Sequence, residues 1–159
     1  MMKRNSWLAL AGFLAICLAA GGLGGWATAG PVVEWYPTLN KPSWNPPAWI
    51  FGPVWTLLYV LMAIAAWLVW RIGTTGANVS WALRLFFVQL ALNTAWSFIF
   101  FGAQSPGLAF AEIIVLLAAI LLTTRQFFRH NQNAGLLLLP YVAWVSFASI
   151  LNFTIWRLN

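Results

Sequence analysis

The sequence predicts an all-α membrane protein, a bundle of five transmembrane helices. Composition is the first reason: 62% of the 159 residues are hydrophobic and 6% are charged, against roughly 25% charged in an ordinary soluble domain. Segmentation is the second, because the apolar residues gather into five runs. Each is near the ~17–25 residues that a helix needs to cross a hydrocarbon core. The third is periodicity, since no run alternates apolar and polar residues as a membrane β-strand would. The whole chain, 1–159, reads as one domain with no linker, second domain or internal repeat.

The first span covers about 7–26. Lys3-Arg4, an apolar run and Ala27-Thr28-Ala29 also outline a signal peptide and its cleavage site. The run exceeds the ~7–15 residues of a signal core, so it is read as a helix. It ends in Gly21-Gly22-Leu23-Gly24-Gly25. Gly21 and Gly25 have the spacing that lets helices approach closely; a flexible helix end is the equal alternative.

The chain is organised around the loop that follows, 27–47. Five of the eight prolines fall in it (Pro31, Pro37, Pro42, Pro46, Pro47), together with Trp35, Tyr36 and Trp44. Proline fixes φ and removes a backbone donor, so neither a long helix nor a central strand runs through. Large aromatics on a stiff backbone make it adhesive rather than solvated. The loop reads as a lid whose principal residues are Trp35, Pro42, Trp44, Pro46 and Pro47.

The remaining spans lie at about 48–71, 81–102, 107–128 and 134–156. A glycine-containing turn at 72–80, a tighter one at 104–107 and a polar one at 130–133 separate them. Trp7, Trp26, Trp70 and Trp81 stand at or near span ends, as interfacial anchors do.

Eight Lys and Arg against two acidic residues give a formal charge of +6. They lie singly or in pairs at the ends of apolar runs, with no stripe for a phosphate backbone, so nucleic acid is not an expected partner. Lys3, Arg4, Arg71, Arg84, Arg125 and Arg129 share one membrane side, while Lys41 and Arg157 share the other. That asymmetry places the N-terminus inside and the lid outside.

Cys17 and His130 are each the sole residue of their type. No intrachain disulfide can form, no His/Cys metal site is supported, and a polar residue at a helix end is expected to be solvated. There is no P-loop, no catalytic carboxylate pair and no Ser/His/Asp set. No charge relay or repeat of a secondary transporter is present either.

Polar residues inside spans are costly and face other helices or a cavity. Gln89, Asn93, Trp96 and Phe100 share one helical face. Trp55, Tyr59 and Met62 share another, and Tyr141, Trp144, Ala148 and Asn152 a third. Gln89 and Asn152 read as interhelical hydrogen-bonding groups. Asn93 with Trp96 fits that role or the wall of a pocket equally well. Glu112, about one turn into the fourth span, either reaches the interface or is buried beside a ligand. An aromatic cavity under a rigid lid suits a flat, apolar, polycyclic ligand.

These residues resemble the TspO/translocator protein family, the tryptophan-rich sensory proteins. The likeness runs through Trp35-Tyr36, Leu39, Lys41-Pro42-Ser43-Trp44 and Pro46-Pro47, then Pro53, Trp55 and Tyr59. It continues through Gln89, Asn93 and Trp96, Phe100-Phe101-Gly102, Pro140-Tyr141, Trp144 and Leu151-Asn152-Phe153. The motifs occur in order and span nearly the whole chain.

The resemblance implies a five-helix bundle, commonly a homodimer, with a ligand cavity opening toward the first loop. It implies a receptor or carrier for porphyrins (protoporphyrin IX, haem) and other hydrophobic ligands, acting as sensor or regulator of tetrapyrrole levels. By motif, Tyr36, Trp55, Tyr59, Asn93, Trp96, Trp144 and Ala148 line the cavity. No cofactor is required; porphyrin or haem enters as ligand. The alternatives are a light-dependent porphyrin-degrading enzyme, with Trp55 and Trp144 as its redox residues, and a porphyrin or sterol transporter. The family's sterol-recognition stretch has Phe153 where a tyrosine belongs, so weak sterol affinity is expected. The short form and altered sterol stretch suggest a bacterial cell envelope.

Overall fold

The computed structural model describes residues 2–73 and 77–159, with the side chains of 2–5 and 77 undescribed. Part of the glycine-containing turn expected at 72–80 therefore lies outside the described residues, as do the side chains of Lys3 and Arg4.

The described residues form α1 (Met2–Ala29), a short α2 (Pro31–Glu34), a 3₁₀ turn (Tyr36–Thr38), α3 (Ala48–Trp70) and α4 (Ala77–Ser97). A π-turn (Phe98–Gly102), α5 (Pro106–His130) and α6 (Gln132–Leu158) complete the chain. Five of these helices are long and apolar enough to cross a membrane. The protein is a multi-pass integral membrane protein.

Some element ends differ from the sequence reading. α1 continues to Ala29, because the glycine-rich stretch stays helical. α4 begins at Ala77, four residues before the expected 81. The 27–47 segment holds two short helical turns, each with proline in its first turn, where the missing N–H has no intrahelical partner to lose.

The long helices close a ring in the order α1, α3, α6, α5, α4. Lipid competes with apolar side chains for apolar contact, so close packing and internal polar bonds hold such a ring. Small residues allow close packing: Gly21 lies where an added Cβ would stand 2.7 Å from the Tyr59 ring, and one at Gly24 would stand 3.0 Å from Ser97 Oγ. Polar ties complete it. Trp67 Nε1 donates to Ser6 O (2.8 Å) and Thr94 Oγ1 to Ala20 O (3.4 Å). Asn131 caps α6 by accepting from Ala134 N at 3.0 Å.

Candidate functional site

At the end of the bundle that carries α2 and the 3₁₀ turn, the ring encloses a cavity of about 530 Å³. The walls follow from helical periodicity. Trp55 and Tyr59 lie one turn apart on α3, Asn93 and Trp96 nearly so on α4, and Trp144 and Ala148 one turn apart on α6. Tyr36 closes the top. All seven residues expected at the cavity therefore line it.

Its floor is a chain of neutral hydrogen bonds. Tyr59 OH donates to Asn93 Oδ1 (2.6 Å), and Asn93 Nδ2 donates to Tyr141 OH (2.7 Å). Tyr141 OH donates to Gln89 Oε1 (2.7 Å), and Gln89 Nε2 reaches Met62 Sδ at 3.7 Å. Three helices are thereby joined through groups that hydrocarbon would leave unsatisfied. A second tie runs from Trp96 Nε1 to Asn152 Oδ1 (3.0 Å) and from Asn152 Nδ2 to Pro106 O (2.8 Å).

Above the floor the walls are aromatic. Trp55 stands 5.8 Å from Tyr59 and edge-on to Tyr141 at 6.3 Å. Phe51 meets Trp144 at 5.9 Å, and Trp96 stacks on Phe100 at 5.0 Å. Among the described residues, no charged side chain lines the cavity. Its rim is exposed at Gly22, Gly25 and Ala29 on α1 and at Ala48, Gly52 and Thr56 on α3, whereas Tyr59 and Asn93 are buried. The cavity thus reaches the surface between α1 and α3, along residues with little or no side chain.

The lid residues Trp35, Pro42, Trp44, Pro46 and Pro47 do not line the cavity; they hold Tyr36 over it. Trp35 packs edge-on against Phe100 (5.7 Å) and Phe101 (6.5 Å), and Trp44 against Phe147 (5.9 Å). Lys41 Nζ donates to the carbonyls of Tyr36 and Leu39, each at 2.8 Å, and lies 4.9 Å from the Tyr36 ring centre. Tyr36 OH donates to Asn45 Oδ1 at 2.8 Å. Burial raises the pKa of this phenol above its ordinary value, so it remains a neutral donor at physiological pH. Asn40 exchanges hydrogen bonds with Asn159, its N–H donating at 2.9 Å and its carbonyl accepting at 3.0 Å. The lid is bolted to the end of α6.

Four features differ from or extend the sequence reading. The α1 glycines, read as a helix contact or a loose end, form a cavity wall; four glycines within five residues, opposite an aromatic face, are the signal for it. Tyr141 is the floor's central hydroxyl, and its place on one face with Trp144 and Ala148 was the available clue. Glu112 lies off the cavity, with both carboxylate oxygens enclosed and without a hydrogen-bond partner among the described residues. Phe153 is on the outer face, 5.1 Å from Phe110 and 6.1 Å from Trp156.

Comparison with known proteins gives this arrangement a lineage. The model of the TspO/MBR family matches residues 13–157. The chain belongs to the TspO/MBR family. It is 47% identical over 152 residues to the tryptophan-rich protein TspO of Chlorobaculum tepidum, covering 96% of each chain. It is 40% identical over 156 residues to the tryptophan-rich sensory protein of Cereibacter sphaeroides, covering 96% of this chain and 92% of that one. With the human translocator protein it shares 41% identity over 131 residues, 82% of this chain and 78% of that one. The aromatic cavity thus sits in a TspO/MBR membrane protein whose relatives carry sensory and translocator names.

Proposed function

We propose that this TspO/MBR protein is a membrane receptor or carrier for porphyrins, binding the tetrapyrrole ring in the aromatic cavity and thereby sensing or regulating tetrapyrrole levels. One observation carries the reading: a space of about 530 Å³ walled by Trp55, Trp96, Trp144, Phe51 and Tyr36, with only neutral polar groups at its floor. That volume lies within the ~300–1,000 Å³ of pockets for drug-sized ligands. Flat aromatic surface favours offset stacking and edge contacts on indoles. The floor offers no cation, so the porphyrin carboxylates would remain at the rim, near water and headgroups.

Iron has no part in this recognition. Among the described residues the lining contains no His, Cys or Met, and the phenols of Tyr36 and Tyr59 are both committed to amides. Metal-free protoporphyrin IX and haem therefore bind with affinities within about threefold of each other. Weak sterol contact would use the outer face around Phe153, outside the cavity. A homodimer in a bacterial cell envelope, with the N-terminus inside, completes the proposal.

The test is titration of the detergent-purified protein with protoporphyrin IX in the dark, beside Trp144→Phe. The expected result is saturable binding, weakened about tenfold or less in the variant, through loss of ring area. Absence of saturable binding overturns the reading. Light-driven loss of the porphyrin spectrum, with turnover that depends on Trp55 or Trp144, would replace the receptor with a porphyrin-degrading enzyme. Porphyrin flux in sealed vesicles would replace it with a transporter.

A further inference from the structure

At the opposite end of the bundle from the lid, α5 and α6 border a second, more open space. This groove of about 490 Å³ is lined by Leu121, Thr124, Arg125, Phe128 and Arg129 of α5 and by Leu139 and Val142 of α6. Its shape has a local cause. Gly135 lets α6 lie against the Phe128 ring, which occupies the space where a Cβ would stand. Apolar side chains from both helices form the floor. The two arginines stand one turn apart at the end of α5 and are both exposed.

Neither arginine has an acidic partner within reach. The chain contains two acidic residues, Glu34 and Glu112. Glu34 ends α2, at the lid end of the bundle. Glu112 lies thirteen residues before Arg125 on the same helix, about 20 Å along its axis. Arg71, by contrast, lies over the Trp67 ring at 4.5 Å. Position in the last turns of a helix suits an arginine, because the helix dipole is negative there. That alone does not account for two unneutralised guanidinium groups at the mouth of an apolar interhelical groove.

We propose that this groove is a binding site for one anionic phospholipid, with its phosphate on Arg125 and Arg129 and an acyl chain along Leu121, Phe128, Leu139 and Val142. Guanidinium groups bind phosphate oxygens in pairs. Basic pockets between transmembrane helices at headgroup level supply the charge complementarity that an acidic lipid needs. The site is separate from the porphyrin cavity and does not depend on it.

The experiment is native mass spectrometry of the full-length protein released from detergent with phosphatidylglycerol or phosphatidylcholine. The wild type is expected to retain one phosphatidylglycerol in preference to phosphatidylcholine. Arg125→Gln with Arg129→Gln lowers that preference about thirtyfold, on the order of five- to sixfold per arginine. Leu139→Trp fills the groove and abolishes retention with both charges intact. Arg84→Gln removes an exposed arginine from the same end and leaves retention unchanged. Circular dichroism and gel filtration confirm that each variant is folded. Equal retention of the two lipids by the wild type overturns the proposal. So does an equal loss in Arg84→Gln, which would make the preference diffuse, or displacement of the lipid by inorganic phosphate alone, which would make the groove irrelevant.

Discussion

A primary amide has two N–H donors and an acceptor oxygen, and Asn93 directs one of each at a different helix. Its oxygen accepts from Tyr59 on α3, and its nitrogen donates to Tyr141 on α6. All three side chains are buried. Asn93→Ala leaves the Tyr59 hydroxyl without an acceptor and the Tyr141 oxygen without its donor, at the floor of the cavity. The expected cost is about 1–2 kcal/mol, between the ~1–3 of an unsatisfied buried group and the smaller values typical inside membranes. Thermal unfolding in detergent should show a lower midpoint for Asn93→Ala than for a substitution at an exposed, unbonded position such as Leu108. An unchanged midpoint would mean that both hydroxyls find other partners. The amide also explains why Gln89 and Asn152 join helices without lining the cavity alike. Gln89 accepts from Tyr141 beneath the floor, whereas Asn152 itself lines the wall and accepts from Trp96.

At the level of elements, the wall contributed by α1 depends on which glycines face α3. An added Cβ at Gly21 would meet Tyr59 Cδ2 and Cε2 at 2.7 Å, whereas one at Gly25 meets nothing within 4 Å. Gly21→Ala therefore pushes on Tyr59 and disturbs its bond to Asn93, while Gly25→Ala does not. Porphyrin titration of the two variants should show weaker binding for Gly21→Ala and near wild-type binding for Gly25→Ala; equal effects would remove the distinction. This register was hidden in the sequence because a glycine's role depends on its neighbour, and adjacency of α1 to α3 is set by the closing of the ring. Trp55, Tyr59, Asn93, Trp96 and Trp144 stood out as aromatic and amide residues at helical spacing in apolar spans, but their gathering around one cavity, with Ala148 among them, followed from the family resemblance. The π-turn at the end of α4 had no such signal. Ala103 N donates to Phe98 O at 2.8 Å, five residues back, and the widened turn presents both Phe100 and Phe101 to Trp35. The prolines of 27–47 announced a stiff segment, but not its bolts, since Lys41 and Asn40 act on partners that proline content does not specify.

For the whole molecule, orientation links charge to function. Arg71, Arg84, Arg125 and Arg129 lie at one end of the ring and the lid at the other, with Lys41 and Arg157. Translocation disfavours Lys and Arg, so the arginine-rich end is expected on the cytoplasmic side. The cavity would then take its ligand from the outer leaflet or from outside, and the lipid groove would face the inner leaflet. The native chain provides its own background for a labelling test, because its one thiol, Cys17, is fully buried. Ser43 is exposed on the lid, and Asn133 is exposed at the start of α6. Ser43→Cys is expected to react with an impermeant maleimide in intact cells, and Asn133→Cys only after the membrane is opened. The reverse pattern would turn the bundle over, place the cavity mouth in the cytoplasm and move the lipid groove to the outer leaflet. Labelling of both variants in intact cells would mean two orientations coexist, and the charge asymmetry would then be too weak to direct insertion.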